Sequence, residues 1–333
     1  MKKKDKDTVV SLEMIQEPVQ CELLEVQSFI SDLLMKEFYF LEDIASHVSS
    51  MKGKLFRPTL LLLAGNLTDG DGKDKSMVSM AVVVEMIHTA TLVHDDFIDN
   101  AKLRRGIPTL NDRWSDQVSI IMGDYLYSRS LMEMVNVGDL EVMQVISGAC
   151  RRIALGEMME LNLTNKIYQT EEQYYETISH KTAALISASC EAGALISDSE
   201  YRKNLRKYGE NLGVAFQIVD DIFDYTGKSN VIGKVVGTDL REKKATLPLL
   251  HALRSMDEGE KRYMENLFSK KETGPEDFVE VSRIIEKHGG FEFAMTQATF
   301  FAQEARKAIE GISPSRYKES LLDAVDYVVE RDR

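Results

Sequence analysis

The sequence predicts an all-α protein, a single large helical-bundle domain covering residues 1–333, in which central helices are enclosed by others. Three observations predict this fold class. Long segments carry apolar residues at helical spacing, and no comparable segment alternates apolar and polar residues as a half-buried strand would. In addition, no proline occurs between Pro108 and Pro248, and these 139 residues can form long helices because proline breaks helix interiors.

The predicted helices follow one another with turn-forming residues between them. Apolar residues recur at i, i+3, i+4 and i+7 in segments 54–67, 79–99, 118–135, 141–163, 171–196 and 202–225, and segments 274–289 and 290–312 also look helical. Glycine-rich or polar connections are predicted at 67–76, 104–109, 227–239 and 270–277. The third connection is long enough to act as a functional flap.

The composition is that of a globular protein and argues against a nucleic-acid binder. Hydrophobic residues make up 44% and charged residues 29% of the chain, which allows a sizeable core. The formal net charge is -13, whereas general nucleic-acid binders need a basic face to displace counterions from phosphates. An anionic ligand must therefore meet a local basic cluster or a bridging cation.

Cysteine usage and hydropathy predict a cytoplasmic protein without a transmembrane helix. Cys21, Cys150 and Cys190 stand far apart and show no C-x-x-C spacing, which is typical of reduced residues. The basic N-terminus is not followed by an apolar signal core. The most apolar window, 80–93, is interrupted by Glu85 and His88 and is shorter than the ~20 residues that a membrane span needs.

Two acidic clusters of the form D-D-x-x-D lie within apolar helical segments, at 95–99 and 220–224. Residues four apart project from the same face of a helix, so Asp95 with Asp99, and Asp220 with Asp224, can each present two carboxylates to one point. One such cluster alone is typical of a solvated acidic face, but two copies flanked by apolar residues favour a cation site. Oxygen-only ligands of this kind suit Mg²⁺ together with substrate phosphate oxygens.

Two polar residues extend these acidic faces. His88 lies seven residues before Asp95, and Gln217 lies three residues before Asp220. Each interrupts an apolar run, where an unpaired polar group would cost about 1 to 3 kcal/mol. Considered alone, His88 would more often be a hydrogen-bonded histidine of the core, and Gln217 a surface or helix-capping amide. Their helical register with the aspartates, however, predicts that both face the same cavity as the acids.

Cationic and hydroxyl residues that could bind a diphosphate are found near helix ends and loops. Arginine offers a planar fork to phosphate oxygens, and lysine offers a compact point charge. The candidates are Lys54, Arg57, Arg104, Arg105, Lys181, Thr182, Lys234 and Lys244. Taken singly, each lysine would be a solvated surface charge. The glycine-bearing loop around Lys234 lacks the order of a P-loop and a preceding strand, which excludes the nucleotide-binding interpretation.

These motifs resemble, in their order, those of the trans-isoprenyl diphosphate synthases, also called the polyprenyl synthetase family. The resemblance runs from GKLFRP near residue 53, through LVHDDFIDNAKLRRGIPT, GD, KTA and GVAFQIVDDIFDYTG, to GKVVGTDLREKKATLP. It implies the isoprenoid synthase fold, with helices around a deep cavity, and a homodimer. It also implies Mg²⁺-dependent condensation of isopentenyl diphosphate with an allylic diphosphate by ionisation, condensation and elimination.

The resemblance also implies roles for the candidate residues. Asp95, Asp99 and Asp220 would hold two or three Mg²⁺ ions that bridge to the allylic diphosphate, supported by Asp96, Asp221 and Asp224. The allylic substrate would be contacted by Arg104, Lys181, Thr182, Gln217, Lys234 and Lys244. The diphosphate of isopentenyl diphosphate would be bound by Lys54, Arg57, His88 and Arg105. Leu55 and Phe56 replace a basic-apolar pair common in the family, which affects only the local electrostatics.

The family also relates product length to the residues one and two turns before the first aspartate. Bulky aromatic residues there give short products, whereas this chain has Met86, Ala90 and Thr91. The resemblance therefore implies a long all-trans product, from hexaprenyl to decaprenyl, such as a quinone side chain. Leu131 or Met132 on the following helix could still close the tunnel lower down.

Three alternatives remain open. The first is a short-chain farnesyl or geranylgeranyl diphosphate synthase. The second, a terpene cyclase or head-to-head synthase, needs no isopentenyl diphosphate site and is disfavoured by Lys54, Arg57 and Arg105. The third, a non-catalytic regulatory subunit, is disfavoured because both aspartate clusters are intact. The missing spans exclude a membrane-embedded aromatic prenyltransferase.

Overall fold

The computed structural model describes residues 10–39, 41–51, 53–67, 75–227, 237–270 and 272–330. The helices of these residues are α1 Leu12–Gln16, α2 Gln20–Glu37, α3 Glu42–Ser50, α4 Phe56–Gly65, α5 Lys75–Ile98, α6 Leu110–Arg113, α7 Asp116–Val137, α8 Leu140–Leu163, α9 Glu171–Ile178, α10 Ala184–Ile196, α11 Arg202–Thr226, α12 Thr238–Arg241, α13 Leu247–Leu253, α14 Glu258–Ser269, α15 Pro275–Lys287, α16 Gly290–Ala308 and α17 Arg316–Glu330. The all-α prediction is confirmed.

Helices α4, α5, α10 and α11 form the interior of the bundle. Helix α5 packs against α2, α4, α7 and α10, and α11 packs against α10, α16 and α17. Nearly every residue of α4 and α10 is buried, because both segments are apolar around most of their circumference. The two helices that carry the aspartate clusters are thereby fixed on several sides.

Two groups of buried side chains make up the core, and α11 contributes to both. Leu205, Tyr208 and Leu212 in its N-terminal half pack with α4, α5 and α10. Ile218 and Val219 in its C-terminal half pack with α9, α13, α15 and α16. The second aspartate cluster lies in this C-terminal half, so it is held by the second group.

The secondary structure differs from the prediction at two places. Segment 171–196 is not one regular helix, because a π-helical turn over Ser179–Ala183 separates α9 from α10. Such single π turns are frequent at functional sites, and this one carries the predicted Lys181 and Thr182. The predicted connection 104–109 contains a small antiparallel hairpin, β1 Leu103–Arg104 with β2 Ile107–Pro108.

The apolar window 80–93 lies within a longer helix, which extends beyond both ends of that window. Helix α5 has 24 residues and is long and apolar enough to cross a membrane by length and composition. However, 61% of its most apolar window is buried inside the protein. Packing against α2, α4, α7 and α10 accounts for its apolar character.

Candidate active site

The first acidic cluster lies at the C-terminal end of α5. The side chain of Asp99 is 24% exposed, and its Oδ1 atom is 3.7 Å from Nζ of Lys244. Asp95 is half-buried, and burial raises the pKa of its carboxyl above the ordinary value, although the Lys181 ammonium lowers it. Both residues retain partial access, as residues that bind a ligand or an ion must.

The hairpin after α5 carries the two adjacent arginines. Arg105 and Gly106 have φ angles of 52° and 77°, and this pair of left-handed residues forms the two-residue turn between β1 and β2. Nε of Arg104 donates to Oδ1 of the buried Asp96 at 2.7 Å. Asp96 therefore fixes Arg104, and both arginines line a cavity described below.

The three carboxylates of the second acidic cluster lie in different surroundings. Asp221 is buried and accepts hydrogen bonds from the Tyr174 hydroxyl at 2.6 Å and the Gln217 amide at 2.7 Å. Asp224 accepts from the backbone N–H groups of residues 238 and 239 at 3.1 and 2.9 Å and so caps α12. Asp220 is half-buried. The expectation that Asp224 and Asp220 point to one place is thus incomplete, because Asp224 is turned towards α12.

Two consecutive residues of the π turn connect both clusters. Lys181 interacts electrostatically with Asp95 of the first cluster. The hydroxyl of Thr182 donates to Oε1 of Gln217 at 2.7 Å, one turn before the second cluster. Because one short turn places a charge that acts on Asp95 and a hydroxyl that bonds Gln217, we infer that the two acidic clusters border a common space.

Lysines and further acids complete this space. Nζ of Lys181 lies 2.8 Å from Glu157 and 2.5 Å from Glu160, both on α8. Nζ of Lys244 lies 3.1 Å from Glu160 and 2.7 Å from Glu242. Acidic groups thus outnumber the lysines, and a polyanion needs additional positive charge to bind here.

A cavity of about 150 Å³ lies beside the first cluster, and its lining includes Glu85, His88, Arg104 and Arg105. Nη1 of Arg57 is 3.1 Å from Nε2 of His88. Burial, and then the nearby arginines, hold the pKa of His88 well below its usual range. Since arginine can only donate, the neutral ring accepts this hydrogen bond at Nε2.

Arginine side chains and one buried acid give this cavity its electrostatic character. Burial lowers the pKa of Arg57 to about 10 and also lowers the pKa of Arg105. Nε of Arg57 is buried and has no hydrogen-bond partner among the described residues. Glu85, unnoticed as a site residue in the sequence, is 5% exposed, and burial raises its pKa to about 7. Arg104 and Arg105, which line the cavity, offer N–H groups to an anion there.

The remaining predicted residues are two lysines and the three residues proposed to set product length. Lys54 is exposed, and its Nζ is 3.3 Å from the hydroxyl of Tyr327 on α17. Lys234 lies outside the described residues. Met86 and Ala90 are buried in the core, and Thr91 is half-buried.

Leu131 and Met132 are exposed on the surface of the chain. They are 52% and 58% exposed, on the outer face of α7. The opposite face of that helix packs against α5, because Met122, Leu126 and Met134 occupy the inward positions. Their outward position in the single chain does not support the suggestion that they close the tunnel lower down.

The donors of the common space fit a hard divalent cation together with a phosphate ligand. Asp95, Asp99 and Asp220 supply oxygen atoms only, and each remains partly accessible. Among the described residues, no group of three or more acidic, histidine or cysteine side chains is close enough to hold a metal ion unaided. This arrangement suits Mg²⁺, which typically takes one or two carboxylates and completes its shell with water and phosphate oxygens.

Several site residues were not identified from the sequence. Glu157 and Glu160 share one face of α8 with Gly156, where a side chain would lie 2.5 Å from the backbone nitrogen of Lys181. A glycine next to two acids in an amphipathic helix was an available signal. Glu85, three residues before His88 in an apolar run, was another. Tyr174 gave no signal.

Comparisons with known proteins agree with this geometry. The sequence model of the family described as Polyprenyl synthetase matches residues 39–285. Octaprenyl diphosphate synthase of Escherichia coli K12 is 32% identical over 97% of this chain and 100% of the relative. A protein of Methanothermobacter thermautotrophicus named short chain isoprenyl diphosphate synthase is 34% identical over 86% of this chain and 89% of the relative.

Two solved structures are similar over nearly their whole length. A decaprenyl diphosphate synthase from Rhodobacter capsulatus has a TM-score of 0.90 and 35% identity, covering 97% of this chain and 100% of that chain. A polyprenyl synthase from Caulobacter crescentus CB15, complexed with calcium and isoprenyl diphosphate, has a TM-score of 0.92 and 31% identity, covering 98% and 99%. The chain belongs to the polyprenyl synthetase family.

Proposed function

We propose that this protein is a trans-polyprenyl diphosphate synthase that condenses isopentenyl diphosphate with an allylic diphosphate and releases a long-chain product. The observation that carries the proposal is the connection of both aspartate clusters to one π turn through Lys181 and Thr182. This geometry provides one site for an allylic diphosphate and its cations. The long-chain relative and structure noted above support the product class.

The common space would bind the allylic diphosphate. Asp95, Asp99 and Asp220 would hold two or three Mg²⁺ ions, which supply positive charge to the departing diphosphate. Lys181 and Lys244 would place ammonium groups at its oxygens and favour cleavage of the allylic C–O bond. Lys234 is proposed for the same role on the basis of the family resemblance alone.

Neighbouring polar residues would hold this site in shape. Asp96 fixes Arg104, and Thr182 orients the amide of Gln217. Asp221 and Asp224 act from the second cluster, the latter by holding the start of α12. Each of these groups would keep a charged or polar contact in position when the substrate binds.

The neighbouring cavity would bind the diphosphate of isopentenyl diphosphate. Arg105, which lines the cavity, and Arg57, which contacts the cavity-lining His88, would donate to its oxygens. Neutral His88 would keep Arg57 oriented through the hydrogen bond at 3.1 Å. Lys54, which follows the cavity-lining Gly53, would turn from Tyr327 towards the bound diphosphate. This second anion site distinguishes a synthase from a terpene cyclase.

One assay tests the reaction and the product length. Purified protein is incubated with Mg²⁺, labelled isopentenyl diphosphate, and a farnesyl or geranylgeranyl starter, and the products are sized by chromatography. We expect extension beyond geranylgeranyl diphosphate. Absence of elongation with every starter would refute the synthase proposal and favour a regulatory subunit, whereas arrest at farnesyl or geranylgeranyl length would refute only the long-chain product.

A homodimer is part of the proposal, and α7 and α8 carry the face that supports it. Exposed apolar residues on α7 include Ile121 (65%) and Val135 (63%), and those on α8 include Leu140 (73%) and Met158 (66%). The helices have 22 and 24 residues, so each is about 35 Å long. Two helices about 10 Å wide offer roughly 700 Å², close to the ~800 Å² that each partner of a stable interface buries.

Sedimentation velocity tests this face. Ile121→Glu should shift the protein towards the monomer, because a dimer would bury the new charge. The control is Val279→Glu on α15, where the original side chain is 66% exposed and lies outside the proposed face. Equal sedimentation of the two variants would contradict an interface on α7 and α8.

The remaining proposals concern domain organisation and location. We propose one domain across residues 1–333, supported by the contribution of α11 to both groups of core side chains. We also propose a cytoplasmic protein, supported by Cys21, Cys150 and Cys190, which form no disulfide.

A further inference from the structure

Glu160 on α8 accepts contacts from two lysines that come from distant parts of the chain. Its Oε2 atom is 2.5 Å from Nζ of Lys181 in the π turn and 3.1 Å from Nζ of Lys244 after α12. The side chains of Glu160, Lys181 and Lys244 are 20%, 21% and 16% exposed. Charge-assisted hydrogen bonds in such a partly desolvated place are stronger than those at the surface.

Each lysine also contacts a second glutamate, which the other lysine does not contact. Oε2 of Glu157 is 2.8 Å from Lys181, and Oε2 of Glu242 is 2.7 Å from Lys244. Glu160 differs from these two acids because it bridges the lysines. Although burial favours the neutral acid, the two lysines lower the pKa of Glu160 below its ordinary value, so the bridge is ionic.

The backbones that carry the lysines are fixed relative to α8. Gly156 allows α8 to approach the π turn closely, since a Cβ atom there would lie 2.5 Å from the backbone nitrogen of Lys181. The carbonyl of Lys243 accepts from the N–H of Asn165 at 3.1 Å, just after α8 ends. Only the lysine side chains are then free to exchange partners.

The carboxylates to which the lysines would turn are those of the first cluster. Nζ of Lys244 is already 3.7 Å from Oδ1 of Asp99, and Lys181 interacts electrostatically with Asp95. An ammonium group that closed onto either aspartate would neutralise an oxygen donor and compete with a cation. The contacts with Glu160 hold both ammonium groups away from closer contact with Asp95 and Asp99, so that they do not compete with a cation there.

We propose that Glu160 is a positioning residue that holds Lys181 and Lys244 as a bridged pair and thereby keeps Asp95 and Asp99 available for divalent cations. This inference rests on the proposed function of the same site. When a diphosphate enters with its cations, the paired lysines already stand beside it. Glu160 itself contacts neither cation nor substrate in this account.

The test is Mn²⁺ binding to the substrate-free protein, titrated by electron paramagnetic resonance. Glu160→Gln should weaken Mn²⁺ binding about tenfold more than Glu157→Gln or Glu242→Gln, the scale expected for one charge-assisted hydrogen bond. The controls are matched, because each removes one negative charge from the same cluster but releases one lysine only. Equal weakening in all three variants would overturn the proposal.

A second variant separates bridging from charge. Glu160→Asp keeps the carboxylate but is one methylene shorter, so it should not span both lysines and should also weaken Mn²⁺ binding. Affinity equal to that of the wild type would mean that charge alone matters and would overturn the proposal. Thermal melting in EDTA verifies that each variant is folded.

Kinetics supply an independent readout. In the glutamine variant, the Mg²⁺ concentration for half-maximal activity should rise, while the KM for isopentenyl diphosphate should stay within about twofold, because that substrate binds in the other cavity. An unchanged Mg²⁺ requirement would overturn the inference. If the wild type fails to extend any starter, the proposed function fails, but the Mn²⁺ titration still reports on Glu160.

Discussion

Glu85 should make the stability of the protein decrease as the pH rises from about 4.5 to 8. Its side chain is 5% exposed, and a Cβ atom at Gly53 would lie 2.4 Å from its Oε1 atom. Burial raises the pKa of Glu85 from 4.5 to about 7, although Arg57 and Arg105 lower it. The folded protein therefore binds this proton more tightly than the unfolded chain does.

The sign and size of the effect follow from this difference. Because the folded pKa is raised, the stabilisation is complete below pH 4.5 and is lost as the pH rises through about 7. One pKa unit corresponds to 1.36 kcal/mol, so this single proton changes the free energy of unfolding by about 3 kcal/mol. Glu85→Gln cannot ionise and should lack this component.

Chemical denaturation between pH 4.5 and 8 measures the effect. The free energy of unfolding of Glu85→Gln, relative to the wild type, should rise by about 3 kcal/mol across this range. Glu286→Gln, on the exposed face of α15, controls for the removal of one carboxylate. Parallel curves for the wild type and Glu85→Gln would refute the argument that this carboxylate is forced into the interior.

Three further predictions concern product length, helix contact and the second cluster. Ala90→Phe should shorten the product in the elongation assay, and an unchanged distribution would mean that the tail does not pass this residue. Gly156→Ala should lower stability by about 1 to 3 kcal/mol and reduce activity, because the new Cβ atom would lie 2.5 Å from the π turn. The control is Gly148→Ala on the same helix, where a Cβ atom meets nothing within 4 Å, so that neither stability nor activity should fall. Thermal melting and steady-state kinetics measure both effects. Tyr174→Phe should destabilise the protein by about 1 to 3 kcal/mol in denaturation experiments, because the buried Asp221 loses a donor at 2.6 Å, and wild-type stability would contradict this.

The aspartate clusters were predictable because they combine a spacing with an unfavourable environment. Three acids within five apolar-flanked positions would cost free energy unless a cation or donors compensated for them, and the sequence contains two such sets. The different contacts of the aspartates in the second set were not predictable. Asp224 caps α12 because the chain after α11 returns to it, and spacing along one helix contains no information about that return.

The contacts of Lys181 were also not predictable from the sequence. The sequence placed Lys181 before an apolar helix, where an exposed ammonium group was the simplest interpretation. The folded protein instead brings it to Glu157 and Glu160 on α8, more than 20 residues away, through a π turn that no periodicity indicated.

The sequence by itself determined the all-α class, the positions of the long helices, and two D-D-x-x-D faces, because helical periodicity and local charge are properties of neighbouring residues. Only the tertiary structure decided which charges meet. The bridge from Glu160 to Lys181 and Lys244, the burial of Glu85 beside two arginines, and the outward position of Leu131 and Met132 all depend on how helices pack. Packing brings together residues that are far apart in the chain, and their energies depend on burial, which the order of residues does not specify.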